Sequence, residues 1–187
     1  MEILTKEDVK INAMIVFERI KAGDIFIHPS DTIYGLGCNA LDEKAVKKIR
    51  EIKQRPSAPF SIWVPSLEWI KNNCEISKET EKALKLLPGP YTIILKLKNV
   101  KAIAKGVVNN QTVGIRYPNH WFSEFVKKLG LPIITTSVNL SGEPFMTDIK
   151  NINPQMEQKI DFMVYEGKKE ESPSKVINTT TGEIIKR

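Results

Sequence analysis

Apolar and polar positions along this chain follow two periods. Val9, Ala13, Val16, Phe17 and Ile20 recur at helical spacing. Thr5 before Lys6-Glu7-Asp8 supplies an N-cap with acids in the first turn, and Gly23 stops that helix. Asp42 caps a second helix whose apolar side is Val46, Ile49 and Ile52; Lys78 to Leu87 is a third, ending at Pro88-Gly89-Pro90. A fourth opens at Asn119 or His120, runs to about Leu129 and closes at Gly130. Between them lie short apolar runs that read as strands: 24–28, 60–64, 91–97, 112–116, 133–136, 162–165 and 175–178, then a turn at Thr181-Gly182 and a last strand over 183–186. Several are too continuously apolar for a half-wet sheet, which predicts a buried mixed sheet with helices on both faces, an α/β chain of α+β type. Segments 151–159 and 167–173 read as polar loops or edges, and no repeat or linker divides the 187 residues, so a single domain over 1–187 is expected.

Composition narrows the classes. No stretch approaches the roughly 20 apolar residues of a membrane span, and the acidic start lacks a signal-peptide pattern, so a cytoplasmic protein without membrane partners is expected. Cys38 and Cys74 are far apart and belong to no Cys/His cluster, which predicts reduced thiols and no structural metal. The net charge of +6 favours nucleotide or nucleic-acid partners, although a general richness in Lys, Ile and Asn dilutes that signal.

Chemistry gathers in six runs. Pro29-Ser30-Asp31-Thr32-Ile33-Tyr34-Gly35 puts hydroxyls and an acid at the end of a strand. Such a loop either holds a small ligand or is a tight turn in which Ser30 and Asp31 bond the local backbone. Lys53-Gln54-Arg55-Pro56-Ser57-Ala58-Pro59 sets two cations at a helix end before a rigid exit. They either complement the helix dipole or are aimed together at one anion. Pro88-Gly89-Pro90-Tyr91-Thr92 is mainly a turn that starts a strand. In Thr112-Val113-Gly114-Ile115-Arg116, Thr112, Gly114 and Arg116 share one face. An Arg in an apolar strand either pairs with a buried acid or awaits an anionic ligand such as a carboxylate. Thr136-Ser137-Val138-Asn139-Leu140-Ser141-Gly142 follows a buried strand with small polar side chains, which also serve as caps and turns. Pro173-Ser174-Lys175-Val176-Ile177-Asn178 closes the series. His28 reads as a strand-end residue and His120 as a helix-start residue.

Taken in order, these runs resemble the YrdC-like family of threonylcarbamoyl-AMP synthases, in the short form without an extra C-terminal domain, over roughly residues 20–187. The resemblance implies a twisted mixed sheet around a central basic cavity. It implies an enzyme, a nucleotidyltransferase, that joins L-threonine, bicarbonate and ATP into threonylcarbamoyl-AMP and pyrophosphate. Mg2+ would be carried by ATP, and the product would pass to a separate threonylcarbamoyl transferase acting on tRNA. By the same resemblance, Lys53, Arg55, Ser137 and Asn139 carry the chemistry. ATP meets Lys53, Arg55, Thr112, Asn139, Thr147 and Arg187; threonine meets Ser30, Thr32, Tyr34, Arg116, Ser137 and Ser174; no residue is assigned to a metal. The chain departs from the family pattern at several points. Pro59 arrives one residue early and the polar residue usually before it is absent; Ser30 replaces Thr, Val138 replaces Ala, and Lys175 and Asn178 replace Thr and Asp. Two other classes are weighed. One is a non-catalytic protein binding tRNA or double-stranded RNA. The other is the carbamoyltransferase module of a hydrogenase-maturation protein, whose acylphosphatase-like region and zinc-finger cysteines this chain lacks.

Overall fold

The structure, a computed structural model, describes residues 1–185. The end of the strand expected over 183–186, and Arg187, lie outside the described residues. The strands are β1 (Glu2–Leu4), β2 (Phe26–His28), β3 (Gly35–Gly37), β4 (Ser61–Trp63), β5 (Tyr91–Lys96), β6 (Thr112–Arg116), β7 (Ile133–Ser137), β8 (Phe162–Val164), β9 (Lys175–Asn178) and β10 (Ile184–Ile185). They form one mixed sheet in the order β1-β8-β2-β3-β7-β4-β6-β5-β9-β10. The helices are α1 (Lys6–Ile11), α2 (Ala13–Lys21), α3 (Glu43–Lys53), α4 (Leu67–Asn73), α5 (Lys78–Leu84), α6 (Phe122–Leu129) and α7 (Pro154–Glu157).

The two core clusters follow from strand periodicity. Phe26, Trp63, Ile133, Phe162 and Val164 point to one face, where Val9 of α1, Val16, Phe17 and Ile20 of α2, and Phe122, Phe125 and Val126 of α6 cover them. Ile27, Ile62, Ile134 and Met163, each one residue away, point to the other face, against Val46, Ile49 and Ile52 of α3, Ile70 of α4 and Ala83 of α5. Buried on both faces, the strands read as continuous apolar runs.

The expected N-terminal helix is two helices that meet at Asn12 (φ −104°, ψ 26°). An Asn there competes poorly with straight-chain residues for helical geometry. Its start is as expected: Thr5 Oγ1 accepts from the Asp8 N–H at 3.2 Å and Asp8 Oδ2 accepts from the Thr5 N–H at 2.8 Å. Asp42 likewise caps α3, accepting from the N–H of Lys44 and Ala45. Four elements had not been expected: β1, β3, α4 and α7. β3 is Gly-Leu-Gly, a poor strand former, held by its antiparallel pairing to β2 and β7 on either side. α7 falls inside the stretch read as loop; Asn153 caps it and Pro154 opens it. Among the described residues no helix is long and apolar enough to cross a membrane. Cys38 and Cys74 are buried free thiols, and burial pushes both up, Cys74 to about 11.

Candidate active site

On the face that carries Trp63 and Ile133, the side chains change from large and apolar to small and polar along the same strands. Ser61 replaces bulk on β4, Gly114 on β6, and Thr135 and Ser137 on β7. A cavity of about 150 Å³ opens there. Its walls include Ser30, Thr32, Tyr34 and Gly35 from the loop around β3, Arg55 and Pro59 from the exit of α3, and Arg116 from β6. Thr92, Pro173 and Ser174 close it on the β5–β9 side.

Arg116 is 6% exposed. One terminal nitrogen of its guanidinium pairs with Asp31 Oδ1, and the other donates to Thr32 Oγ1 at 3.1 Å. Asp31 Oδ2 accepts from the Asn119 N–H at 3.0 Å. The pairing alternative for Arg116 holds, with Asp31 as the acid, and the guanidinium also lines the cavity. Asp31 does not bond its local backbone as a simple turn residue would, whereas Ser30 does, donating to Ile33 O at 2.8 Å. Thr92 Oγ1 and Ser174 Oγ lie 2.7 Å apart and share a hydrogen bond. Tyr34 lends its ring to the wall, but its hydroxyl turns outward and donates to Gly167 O at 2.6 Å. Burial raises the Tyr34 pKa, and the hydroxyl stays protonated.

The two cations at the end of α3 part company. Gln54 adopts a left-handed conformation (φ +50°), uncommon for a residue with a side chain. It turns the chain so that Lys53 faces inward and Arg55 reaches the cavity wall. Lys53 is 2% exposed. Its ammonium donates to Ser137 O at 2.6 Å, Asn139 O at 2.8 Å and Asn139 Oδ1 at 2.7 Å. The two cations therefore do not share one stretch of the cavity wall. Lys53 does not line the cavity; it anchors the loop that carries Ser137 and Asn139. Burial, then the charge of Arg55, lowers its pKa to about 8, so at neutral pH it keeps the three N–H donors that three acceptors require. Arg50, not singled out from sequence, builds the exit. It donates to Arg55 O at 2.9 Å and Ala58 O at 3.0 Å and packs over the Phe60 ring.

Ser137 Oγ donates to Asn139 Oδ1 at 2.6 Å, and Asn139 Nδ2 donates to Glu143 O at 2.6 Å. Asn139 borders a second hollow, with Glu143, Pro144, Asn151 and Asn153, and Phe145 is shared by both hollows. Besides Lys53 and Asn139, two expected contacts fall outside the cavity. Thr112 donates its hydroxyl to Asn110 Oδ1 at 2.6 Å, and Thr147 accepts from Asn151 Nδ2 at 2.9 Å, behind the second hollow. The cavity thus gathers Ser30, Thr32, Tyr34, Arg55, Arg116, Ser137 and Ser174, with Lys53 and Asn139 directly behind Ser137. Sequence reading assigned none of Asp31, Ser61, Thr92, Thr135 and Thr136 to the site, although Asp31, Thr92 and Thr136 stand in the runs above. The Thr135-Thr136 pair carried a signal, since it continues an apolar strand with hydroxyls.

His120 behaves as expected, its Nδ1 accepting from the Phe122 N–H at 3.2 Å where α6 begins. Its Nε2 meets Glu166, which also accepts from Trp121 Nε1 and Lys169 Nζ. Burial pushes Glu166 up, but these partners prevail and hold it down at about 2. His28 is fully buried, stacked on Phe122 and edge-on to Trp63. Its Nδ1 donates to Pro29 O at 3.1 Å, and its Nε2 has no partner among the described residues. Burial lowers its pKa to about 3. The unfolded chain takes up this proton near pH 6.5 and the native state only near pH 3. Stability is therefore complete above about 6.5 and falls as pH drops through that window, by on the order of 4–5 kcal/mol at full titration. Of the two histidine ring signals in an NMR titration, that of His28 is expected to stay at its neutral position down to pH 4. Titration near pH 6 would contradict this.

The fold is shared with known proteins. Residues 18–187 match the Sua5/YciO/YrdC family, described as "Telomere recombination", and the chain belongs to that family. A Methanocaldococcus jannaschii protein provisionally named a threonylcarbamoyl-AMP synthase is 34% identical over 97% of this chain and 87% of its own length. The crystal structure of Pyrococcus abyssi Sua5 complexed with L-threonine superposes with a TM-score of 0.83 at 31% identity, over 98% of this chain. The chain spans 55% of that longer protein. A nucleotide-bound HypF structure is similar over 88% of this chain, at 27% identity and a TM-score of 0.78, but only 26% of HypF is covered.

Proposed function

We propose that this protein is an L-threonylcarbamoyladenylate synthase, a nucleotidyltransferase that makes threonylcarbamoyl-AMP and pyrophosphate from L-threonine, bicarbonate and ATP. The observation that carries the reading is the division of one cavity into two ends. Arg116, oriented by Asp31 and Thr32, stands at one; Arg55 and the Lys53-anchored Ser137–Asn139 loop stand at the other. A guanidinium held by its neighbours suits the carboxylate of an amino acid. The Thr92–Ser174 and Ser30–Thr32 hydroxyls suit a substrate hydroxyl. Arg55 and the loop amide suit phosphates and ribose. The likeness to a Sua5 structure complexed with L-threonine supports the same assignment.

The chemistry asks for no covalent nucleophile. Threonine carbamate attacks the α-phosphorus while the walls align reactants and neutralise charge, and alignment of this kind accounts for much of such a barrier. Mg2+ enters with ATP as part of the substrate. Among the described residues there is no group of three or more His, Cys, Asp or Glu placed to hold it, and phosphate oxygens are its usual ligands in nucleotide sites. The mixed anhydride then goes to a separate transferase that modifies tRNA.

Pyrophosphate release from ATP, measured with each amino acid and with or without bicarbonate, tests the proposal. Release is expected to require bicarbonate and L-threonine, with serine weaker because it lacks the methyl group. Valine turning over at the rate of threonine would contradict a hydroxyl-reading site.

A further inference from the structure

The proposed reaction needs a place for its one-carbon reactant, between the end that takes threonine and the end that takes ATP. Strand register identifies that place. Ser61 of β4 is the register partner of Gly114 on β6 and of Thr135 on β7. Because β4 runs parallel to β6 and antiparallel to β7, Arg116 lies two residues from this row in one direction and Ser137 two residues in the other. The row is thus midway between the two ends, about 7 Å from each.

Two hydroxyls in this row are unused. Ser61 and Thr135 line the cavity, and neither side chain has a hydrogen-bond partner among the described residues. Most hydroxyls around them are taken: Ser30 with Thr32, Thr92 with Ser174, Ser137 with Asn139; Thr136, on β7 beside Thr135, is also without a partner among the described residues but falls on the alternate strand position. Both hydroxyls lie close to a glycine backbone: a Cβ on Gly114 would come within 2.7 Å of Ser61 Oγ, and one on Gly35 within 3.0 Å of Thr135 Oγ1 and closer still to the His28 ring.

We propose that Ser61 and Thr135 bind bicarbonate and the carbamate formed from it, each hydroxyl donating to one oxygen of the planar CO2 group. This inference rests on the proposed synthase activity. In the step concerned, the threonine amine attacks the bicarbonate carbon. The N–C bond forms, the C–OH bond breaks, and hydroxide leaves as water with the amine proton. A carbamate oxygen then displaces pyrophosphate from the α-phosphorus. Ser61 and Thr135 hold the carbon beside the amine and aim the carbamate oxygen at phosphorus. Both are small enough to leave the cavity open.

The test is steady-state kinetics of Ser61→Ala, Thr135→Val and the double variant, titrating bicarbonate, threonine and ATP separately. Each single change is expected to raise the KM for bicarbonate about tenfold, the usual scale for a hydrogen bond to a charged group. The KM for threonine and for ATP should stay within about twofold of wild type. Thr135→Ser, which keeps the hydroxyl, should restore the bicarbonate KM and so separates donor loss from a packing defect. An active wild type whose double variant keeps its bicarbonate KM, or loses affinity equally for all three substrates, would overturn the inference and leave the synthase reading intact. A wild type with no bicarbonate-dependent product would overturn the synthase reading itself, and this inference with it.

Discussion

Asp31→Ala is expected to destabilise the protein by about 3–5 kcal/mol, the scale on which removing one partner leaves a buried charge uncompensated. Arg116 and Asp31 side chains are only 8% and 10% exposed. Among the described residues Arg116 has one carboxylate partner, and its Nε is already without an acceptor. Removing Asp31 also strips the Asn119 N–H of its acceptor at the turn into α6. Domains of this kind have total stabilities of about 5–15 kcal/mol, so the variant should melt far earlier or fail to fold at moderate temperature. The double variant Asp31→Ala with Arg116→Met removes both charges together and should regain most of the loss while binding no threonine. Chemical denaturation of the four members of this cycle checks the prediction. An Asp31→Ala midpoint within experimental scatter of wild type would show that Arg116 finds another counter-charge.

Asn139→Ala is expected to lower threonylcarbamoyl-AMP formation by about 100-fold, the scale of small misplacements of reacting groups. Its Oδ1 accepts from both Lys53 and Ser137, and its Nδ2 ties the loop to Glu143 O. The amide therefore fixes where Ser137 and its loop stand. It also satisfies part of a buried ammonium, so Asn139→Ala should lose about 1–3 kcal/mol as well. Asn139→Asp separates the two roles. A carboxylate still accepts from Lys53 and Ser137, and its charge complements the ammonium, so the melt should stay cooperative and near wild type. It cannot donate to Glu143 O, and its negative charge would face the incoming phosphates, so product formation should remain low. Threonine-induced thermal stabilisation should persist in both variants, because Arg116 is untouched. Near-normal product formation by Asn139→Asp, measured by mass spectrometry, would remove the amide from the nucleotide site.

These two residues differ in how far sequence could place them. Asn139 stood in a run whose order and spacing resembled a family pattern, and a two-residue step from Ser137 is short enough for local geometry to decide. Asp31 stood in a quoted run too, yet its partner is 85 positions away. Such a pairing is made only when β6 and the loop before β3 come together in the sheet. Lys53 shows the same limit from the other side. Its position at the end of α3 was legible from the helical period, but one left-handed residue, Gln54, decides that it turns toward the Ser137 loop while Arg55 turns to the cavity.

By itself, the sequence determined what local chemistry determines: the capped starts of α1 and α3, the strands at β5, β6, β7 and β9, and several of the residues that line the cavity. Periodicity and capping act over a few residues and need no partner. Tertiary structure decided the rest. β3, made of Gly-Leu-Gly, exists because β2 and β7 supply its hydrogen bonds. Ser61, Gly114 and Thr135 become neighbours only through register. The cavity is where large apolar side chains give way to small polar ones across strands distant in sequence. Such a surface is a sum of long-range contacts, and no window of the chain contains it.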